Sequence, residues 1–224
     1  IDRGDIVNDY TYRVLNSFER EIKRRIASQN QITSTLLGQI LYVGIMVIIF
    51  TAYLLLFRRD YFDKPRSIAM LYVLLTLFPV VLSLFMRHNF MSVYIIPFAM
   101  VPMFVRVFMD SRTAFTTHVI MVMICAAAVK YQYEFIIIQL TAGFVAIYSL
   151  RELLRRAQVF KTALLVAVSS VVVYLSLQMM QDNDFMKMDH EMNVHFAVNG
   201  VLLLLAYPLM YIIEKAFGFV SNVT

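Results

Sequence analysis

The run LLGQILYVGIMVIIFTAYLLLF, Leu36 to Phe57, carries no charged residue over 22 positions. A helix rises 1.5 Å per residue, so a run of that length covers the ~30 Å of hydrocarbon in a bilayer. Six further apolar stretches follow: Ser67 to Met86, Phe90 to Met109, Thr113 to Val129, Tyr133 to Leu150, Thr162 to Met180 and Val194 to Ile213. Each meets or approaches the ~20 residues that a crossing helix needs. The expected fold is an all-α membrane protein, a seven-transmembrane helix bundle filling residues 36–213. An odd number of crossings sets the two ends on opposite sides of the membrane, a topology suited to passing a signal.

Composition supports the same class. The chain is 60% hydrophobic with a mean hydropathy of +0.70, above the ~45–50% apolar content of soluble domains. The lone Cys125 falls in the fourth span, so no disulfide framework exists. Trp is absent, and Tyr42, Tyr61, Tyr94, Tyr131, Tyr133 and Tyr211 stand near span ends, where an aromatic belt would sit. The 15 Met residues suit the soft filling of a helix bundle.

Orientation is read from the short loops. With the N-terminus outside, the inner loops carry Arg58, Arg59, Lys64, Arg66, Arg112, Arg151, Arg155, Arg156 and Lys161. The outer loops carry Arg87, Lys130 and Lys187. This bias favours an outer N-terminus and a cytoplasmic C-terminus. Lys23, Arg24 and Arg25 oppose it, but basic residues next to a long translocated domain escape the rule. The chain begins at Ile1 rather than Met and is expected to be a segment of a longer protein.

Residues 1–35 read as the end of an extracytoplasmic domain and a juxtamembrane helix. Val14, Phe18, Ile22 and Ile26 recur every fourth residue, and no Pro stands between Tyr10 and Phe57. One helix is therefore expected to run into the first span. Residues 214–224 read as a cytoplasmic linker. Between the fifth and sixth spans, Leu153, Leu154 and Phe160 stand among Arg151, Arg155, Arg156 and Lys161, which predicts that the fifth helix continues past the membrane surface. That basic loop is a candidate docking surface, with Glu214 and Lys215 as the alternative route of coupling.

Ionisable groups inside a membrane cost roughly 3 kcal/mol or more, so they mark function where they occur. Arg106 and His118 are expected near the inner ends of their spans, where Arg106 can snorkel. Gln139 and Asn199 lie deeper and read as interhelical hydrogen-bond glue. No lysine sits in the seventh span for a Schiff base. No inverted repeat and no matched pair of broken helices is expected, which weakens a transporter reading. Pro79, Pro97, Pro102 and Pro208 are expected to kink helices. No glycine-rich phosphate loop, metal-spaced His cluster or nucleophile elbow occurs. Asp189-His190-Glu191 is half of a metal site at most. The basic loops are accounted for by topology, so no nucleic-acid partner is expected, and the lipid bilayer is the expected partner.

The run Pro97 to Met103, followed by Asp110-Ser111-Arg112-Thr113-Ala114, resembles the third-to-fourth span junction of the seven-transmembrane HD phosphohydrolases. Phe135 to Arg156, with Gly143 inside it, is similar to that family's fifth span and basic inner loop. Pro208-Leu209, Glu214-Lys215 and Phe217-Gly218 resemble the exit of its seventh span, and Asp2 to Val7 with Leu15-Asn16-Ser17 the close of its extracellular domain. The resemblance covers nearly the whole chain. It implies a bundle in the bacterial cytoplasmic membrane that carries a stimulus from an outer domain to a cytoplasmic HD domain, with a homodimer as a possible assembly. In that family the HD domain hydrolyses cyclic di-AMP with a divalent metal, Mn or Fe. None of its ligands lies in this chain, so no catalytic or metal residue and no cofactor is assigned here. The alternative is a small-solute transporter or permease subunit.

Overall fold

The computed structural model describes residues 9–88, 92–150, 156–181 and 191–218. These residues form α-helices, joined by short connections and one 3-10 turn. The chain divides into two units, Ile1–Ile45 and Met46–Thr224. The first helix, α1 (Asp9–Phe57), carries the juxtamembrane stripe and the first span without interruption. In the first unit Val14, Leu15, Phe18 and Ile22 are all exposed, so nothing among the described residues of that unit covers the apolar stripe. Asp2 to Val7 lie outside the described residues, as do the side chains of Lys23, Arg24, Arg25 and Ile26.

The second unit begins in the last turns of α1, where Phe50 and Leu54 are fully buried. The helical turn α2 (Arg59–Phe62) leads to α3 (Pro65–His88). Thr51 Oγ1 and the Tyr72 hydroxyl of α3 share a hydrogen bond at 2.5 Å, and Phe50 meets the Tyr72 ring edge-on at 5.8 Å. Next come α4 (Met100–Phe108), α5 (Ser111–Ala126), α6 (Gln132–Ser149), α7 (Arg156–Gln181), α8 (Glu191–Leu203) and α9 (Ala206–Phe217). α5 packs against α3, α4 and α6, then α6 on α7 and α7 on α8. The buried residues of α5 cover most of its circumference, from Thr113 and Ala114 to Cys125 and Ala126, and leave a less buried stripe at Arg112, Thr116, Val119 and Met123.

A chain of aromatic rings forms the core. Phe78 of α3 meets Phe98 at 5.8 Å, and Phe98 meets Phe135 of α6 edge-on at 5.3 Å. Phe135 then touches Tyr94, Tyr94 touches Phe196 of α8, and Phe196 touches Tyr174 of α7, at 6.2, 5.6 and 5.5 Å. Such pairs contribute ~0.5–1.5 kcal/mol beyond the area they bury.

Among the described residues, three helices are long and apolar enough to cross a membrane alone, at Thr33–Phe57, Pro65–His88 and Gln158–Met180. The expected seventh span is instead a pair, Met192–Leu203 and Ala206–Phe217, bent by 43°. The third is a 3-10 turn, Val93–Ile95, followed by an extended segment and the nine-residue α4. α5 and α6, at 16 and 18 residues, lie near the lower end of the ~17–25 that a crossing takes. The fifth helix does not continue past the membrane surface as predicted. α6 ends at Ser149, where the Gln158 amide of α7 donates to the Ser149 carbonyl at 3.0 Å and the Thr162 hydroxyl to Ser149 Oγ at 2.7 Å. Side chains of the next helix thus satisfy the groups a longer α6 would have paired itself.

At the same end of the bundle Asp110 joins two spans. Its Oδ2 accepts the Arg112 and Thr113 amides at 3.0 and 3.4 Å, capping α5, while Oδ1 accepts from Arg58 Nη2 at 2.7 Å. The guanidinium also lies 4.6 Å from the centre of the Tyr61 ring. Burial works against the Arg58 charge, but Asp110, Tyr61 and Asp60 outweigh it and hold the group above its ordinary pKa. Burial, then the Asp110 charge, pushes the Tyr61 phenol up as well. Asp110→Ala removes the cap and the ion pair together and is expected to lower stability by about 1–2 kcal/mol. Asp110→Asn, which can still cap, should lose less, as measured by thermal unfolding in detergent.

Candidate transmission site where the third and seventh spans are broken

The break in the third span begins with a capped turn. Ser92 Oγ accepts the Tyr94 amide at 3.4 Å, and Ile96, ahead of Pro97, is extended at φ −65°, ψ 122°. A residue before proline is driven out of the helical region by the ring of its neighbour. Helix resumes at Met100, with Pro102 in its first turn, where a missing amide hydrogen costs nothing. Pro97 and Pro102 therefore end and restart the span rather than kink one continuous helix. Pro208 likewise stands in the first turn of α9, just past the bend, and Pro79 alone of the four lies within a helix interior.

Breaking a span frees backbone carbonyls, and hydrocarbon offers them no donor. Asn199 of α8 supplies both. Its Nδ2 donates to the Tyr94 carbonyl at 2.8 Å and to the Ile96 carbonyl at 2.9 Å, and the residue is 8% exposed. Asn199 is thus a clasp across the break, one helical turn ahead of the bend between α8 and α9. The expectation of no matched pair of broken helices is overturned: the third and seventh spans are both broken, and they meet at this residue. α9 in turn packs on α4, the second half of the third span. It ends at Gly218, in the left-handed conformation at φ 65°, where a Cβ would come within 2.7 Å of Arg66 Nη1.

His118 was expected near the inner end of its span. It lies instead halfway along α5 and is completely buried. Its Nε2–H donates to the backbone carbonyl of Gln139 at 2.8 Å, so two of the polar candidates meet. Nδ1 has no hydrogen-bond partner among the described residues. The contact depends on Gly143, one turn beyond Gln139 in α6, because a Cβ there would collide with the imidazole. Arg106 lies in the last turn of α4. It is half-buried, and its Nε is buried without a hydrogen-bond partner among the described residues.

Lys161 is exposed on α7, and Glu214 and Lys215 sit half-buried and exposed in the last turns of α9. Arg151 and Arg155 lie outside the described residues. Arg156 opens α7, but its side chain, like Asp189, His190 and the Glu191 side chain, is also outside them. Among the described residues no three His, Cys, Asp or Glu side chains are grouped so as to hold a metal ion, so no catalytic step is derived from them. Sequence reasoning missed Asp110 as a structural link, although Asp ahead of an apolar helical run is a capping signal.

Buried polar contacts, apolar helices and paired breaks define a polytopic α-helical membrane protein. A family model described as a 7TM receptor with intracellular HD hydrolase matches residues 33–221, and the chain belongs to that family. No curated relative and no solved structure matches it.

Gly143→Ala is expected to lower stability by roughly 1–3 kcal/mol through overpacking. Gly38→Ala, in a helix with open space around it, should leave stability unchanged or raise it by up to ~1 kcal/mol. His118→Ala should partly rescue Gly143→Ala, giving a non-additive cycle in detergent unfolding.

Proposed function

We propose that the chain is the sensing and transmission region of a bacterial membrane-bound HD phosphohydrolase, with its N-terminus outside and its C-terminus in the cytoplasm. The downstream domain hydrolyses cyclic di-AMP and holds its own divalent metal, Mn or Fe. The observation that carries this reading is the Asn199 clasp. It couples the outer half of the last span to a break in the third, while α9, the inner half, leads out toward Glu214 and Lys215. Membership of a receptor family associated with an HD hydrolase supports the same assignment, and the basic bias of the inner loops supports the orientation. Arg151, Arg155, Arg156 and Lys161 form the docking surface for the catalytic domain, with a homodimer as the working assembly.

A transporter is the second reading, and the paired breaks are the observation that favours it. Against it, Asn199 already occupies the carbonyls that a transporter would turn toward its substrate.

In the full-length protein, Asn199→Leu removes two intramembrane hydrogen bonds worth ~0.6–1.7 kcal/mol each. Hydrolysis of cyclic di-AMP, or its response to the outer domain, should shift while expression and insertion stay level. Unchanged activity and response would mean that the clasp does not transmit, whereas uptake of a solute lost in the variant would favour the transporter. Orientation has its own check: a reporter active only in the cytoplasm should work when fused after Arg156 and fail after Asn183.

A further inference from the structure

α7 and α8 pack tightly at Gly200, where an added Cβ would lie 2.9 Å from the Ala167 Cβ and 3.6 Å from the Ala163 carbonyl. Beside that contact runs a groove of about 280 Å³, with Ala163 and Gly200 in its floor and Phe160, Leu164, Val201 and Leu204 along its edges. The edges turn outward: Phe160, Leu164 and Val201 are 65%, 67% and 64% exposed. Just past the end of α8 the groove reaches Leu204, where the 43° bend carries α9 away from the line of α8.

The occupant follows from size, surroundings and charge. The groove lies within the apolar length of a span, Gln158–Met180, and every residue lining it is apolar. A helix about 10–12 Å across with its side chains is too wide to enter a slot of this volume, whereas a single acyl chain is not. At the Phe160 end, Lys161 is exposed in the first two turns of α7, three residues inside the start of the span. An ammonium there complements a phosphodiester.

We infer that this groove binds one acyl chain of an anionic phospholipid, whose phosphate pairs with Lys161 and whose tail lies against the bend of the last span. The site does not depend on the orientation proposed above, and it shares Lys161 with the proposed docking surface. A seated tail bears directly on Leu204, so lipid composition sets how far α9 leans from α8.

The full chain in phosphatidylcholine nanodiscs with a trace of phosphatidylglycerol carrying a photoreactive acyl chain tests this. Labels should concentrate on Phe160, Leu164, Val201 and Leu204. Ala197 lines the groove yet is itself exposed, so Ala197→Phe should fill the slot and lose that labelling without lowering the unfolding midpoint. Val201→Phe serves as the second filling variant should the first fail to fold. Lys161→Gln should reduce the preference for phosphatidylglycerol over phosphatidylcholine about fivefold, the equivalent of about 1 kcal/mol for one basic residue. Labels spread evenly onto other exposed faces, such as Val73 and Leu77 of α3, would overturn the proposal, since they indicate bulk lipid only. Labelling that survives both filling variants, or a groove cross-linked to a second copy, would overturn it too.

Discussion

Backbone groups in hydrocarbon have no water to turn to, and the second unit is arranged around that constraint. Six residues, Ile95 to Met100, carry the chain from a 3-10 turn through an extended stretch into α4. A non-helical backbone at membrane depth persists only where protein encloses it, and Ile95, Ile96, Phe98 and Ala99 are all buried. The Asn199 amide has two hydrogens and meets two carbonyls, so one side chain answers the need created by the break. The same geometry turns Tyr94 and Phe98 inward, where both rings pack on Phe135 in the aromatic core. Loss of the clasp would therefore disturb apolar packing as well as hydrogen bonding.

Small residues and polar residues divide the work among the remaining helices. Gly143 admits a histidine ring between α5 and α6, and Gly200 lets α7 and α8 close on each other. Ser149, Gln158 and Thr162 finish α6 from the side of α7, and Asp110 starts α5 while holding the residue that follows α1. Polar contacts therefore lie at helix ends and breaks, where intrahelical partners run out. The helix interiors are left mainly to apolar packing, with His118 on Gln139 and Thr51 on Tyr72 as polar contacts between them.

Hydropathy located the spans well, because membrane thickness imposes a length that a sequence can meet or fail to meet. Pro65–His88 and Gln158–Met180 match their apolar runs to within a few residues. Hydropathy is blind to backbone direction, however, and Phe90 to Met109 reads as one apolar run whether or not the helix is continuous. The signal lay in proline position: Ile96-Pro97 ends a helix, while Pro102 and Pro208 suit a first turn. Asn199 reads from the sequence as interhelical glue, while its partners in the structure are backbone carbonyls more than a hundred residues away, which no local pattern specifies. His118 was misplaced because distance to a span end was judged from the apolar run rather than from the helix. The buried ring became intelligible only with Gly143 beside it.

The bend between α8 and α9 gives the last span mechanical leverage. α9 has 12 residues, a lever about 18 Å long at 1.5 Å per residue. A change of ~10° at the Leu204–Leu205 pivot sweeps its far end through ~3 Å, while α8 stays fastened to the third span by Asn199. Gly218 and Arg66 lie at that far end, so a rotation too small to unpack the core is enough to bring them together or draw them apart.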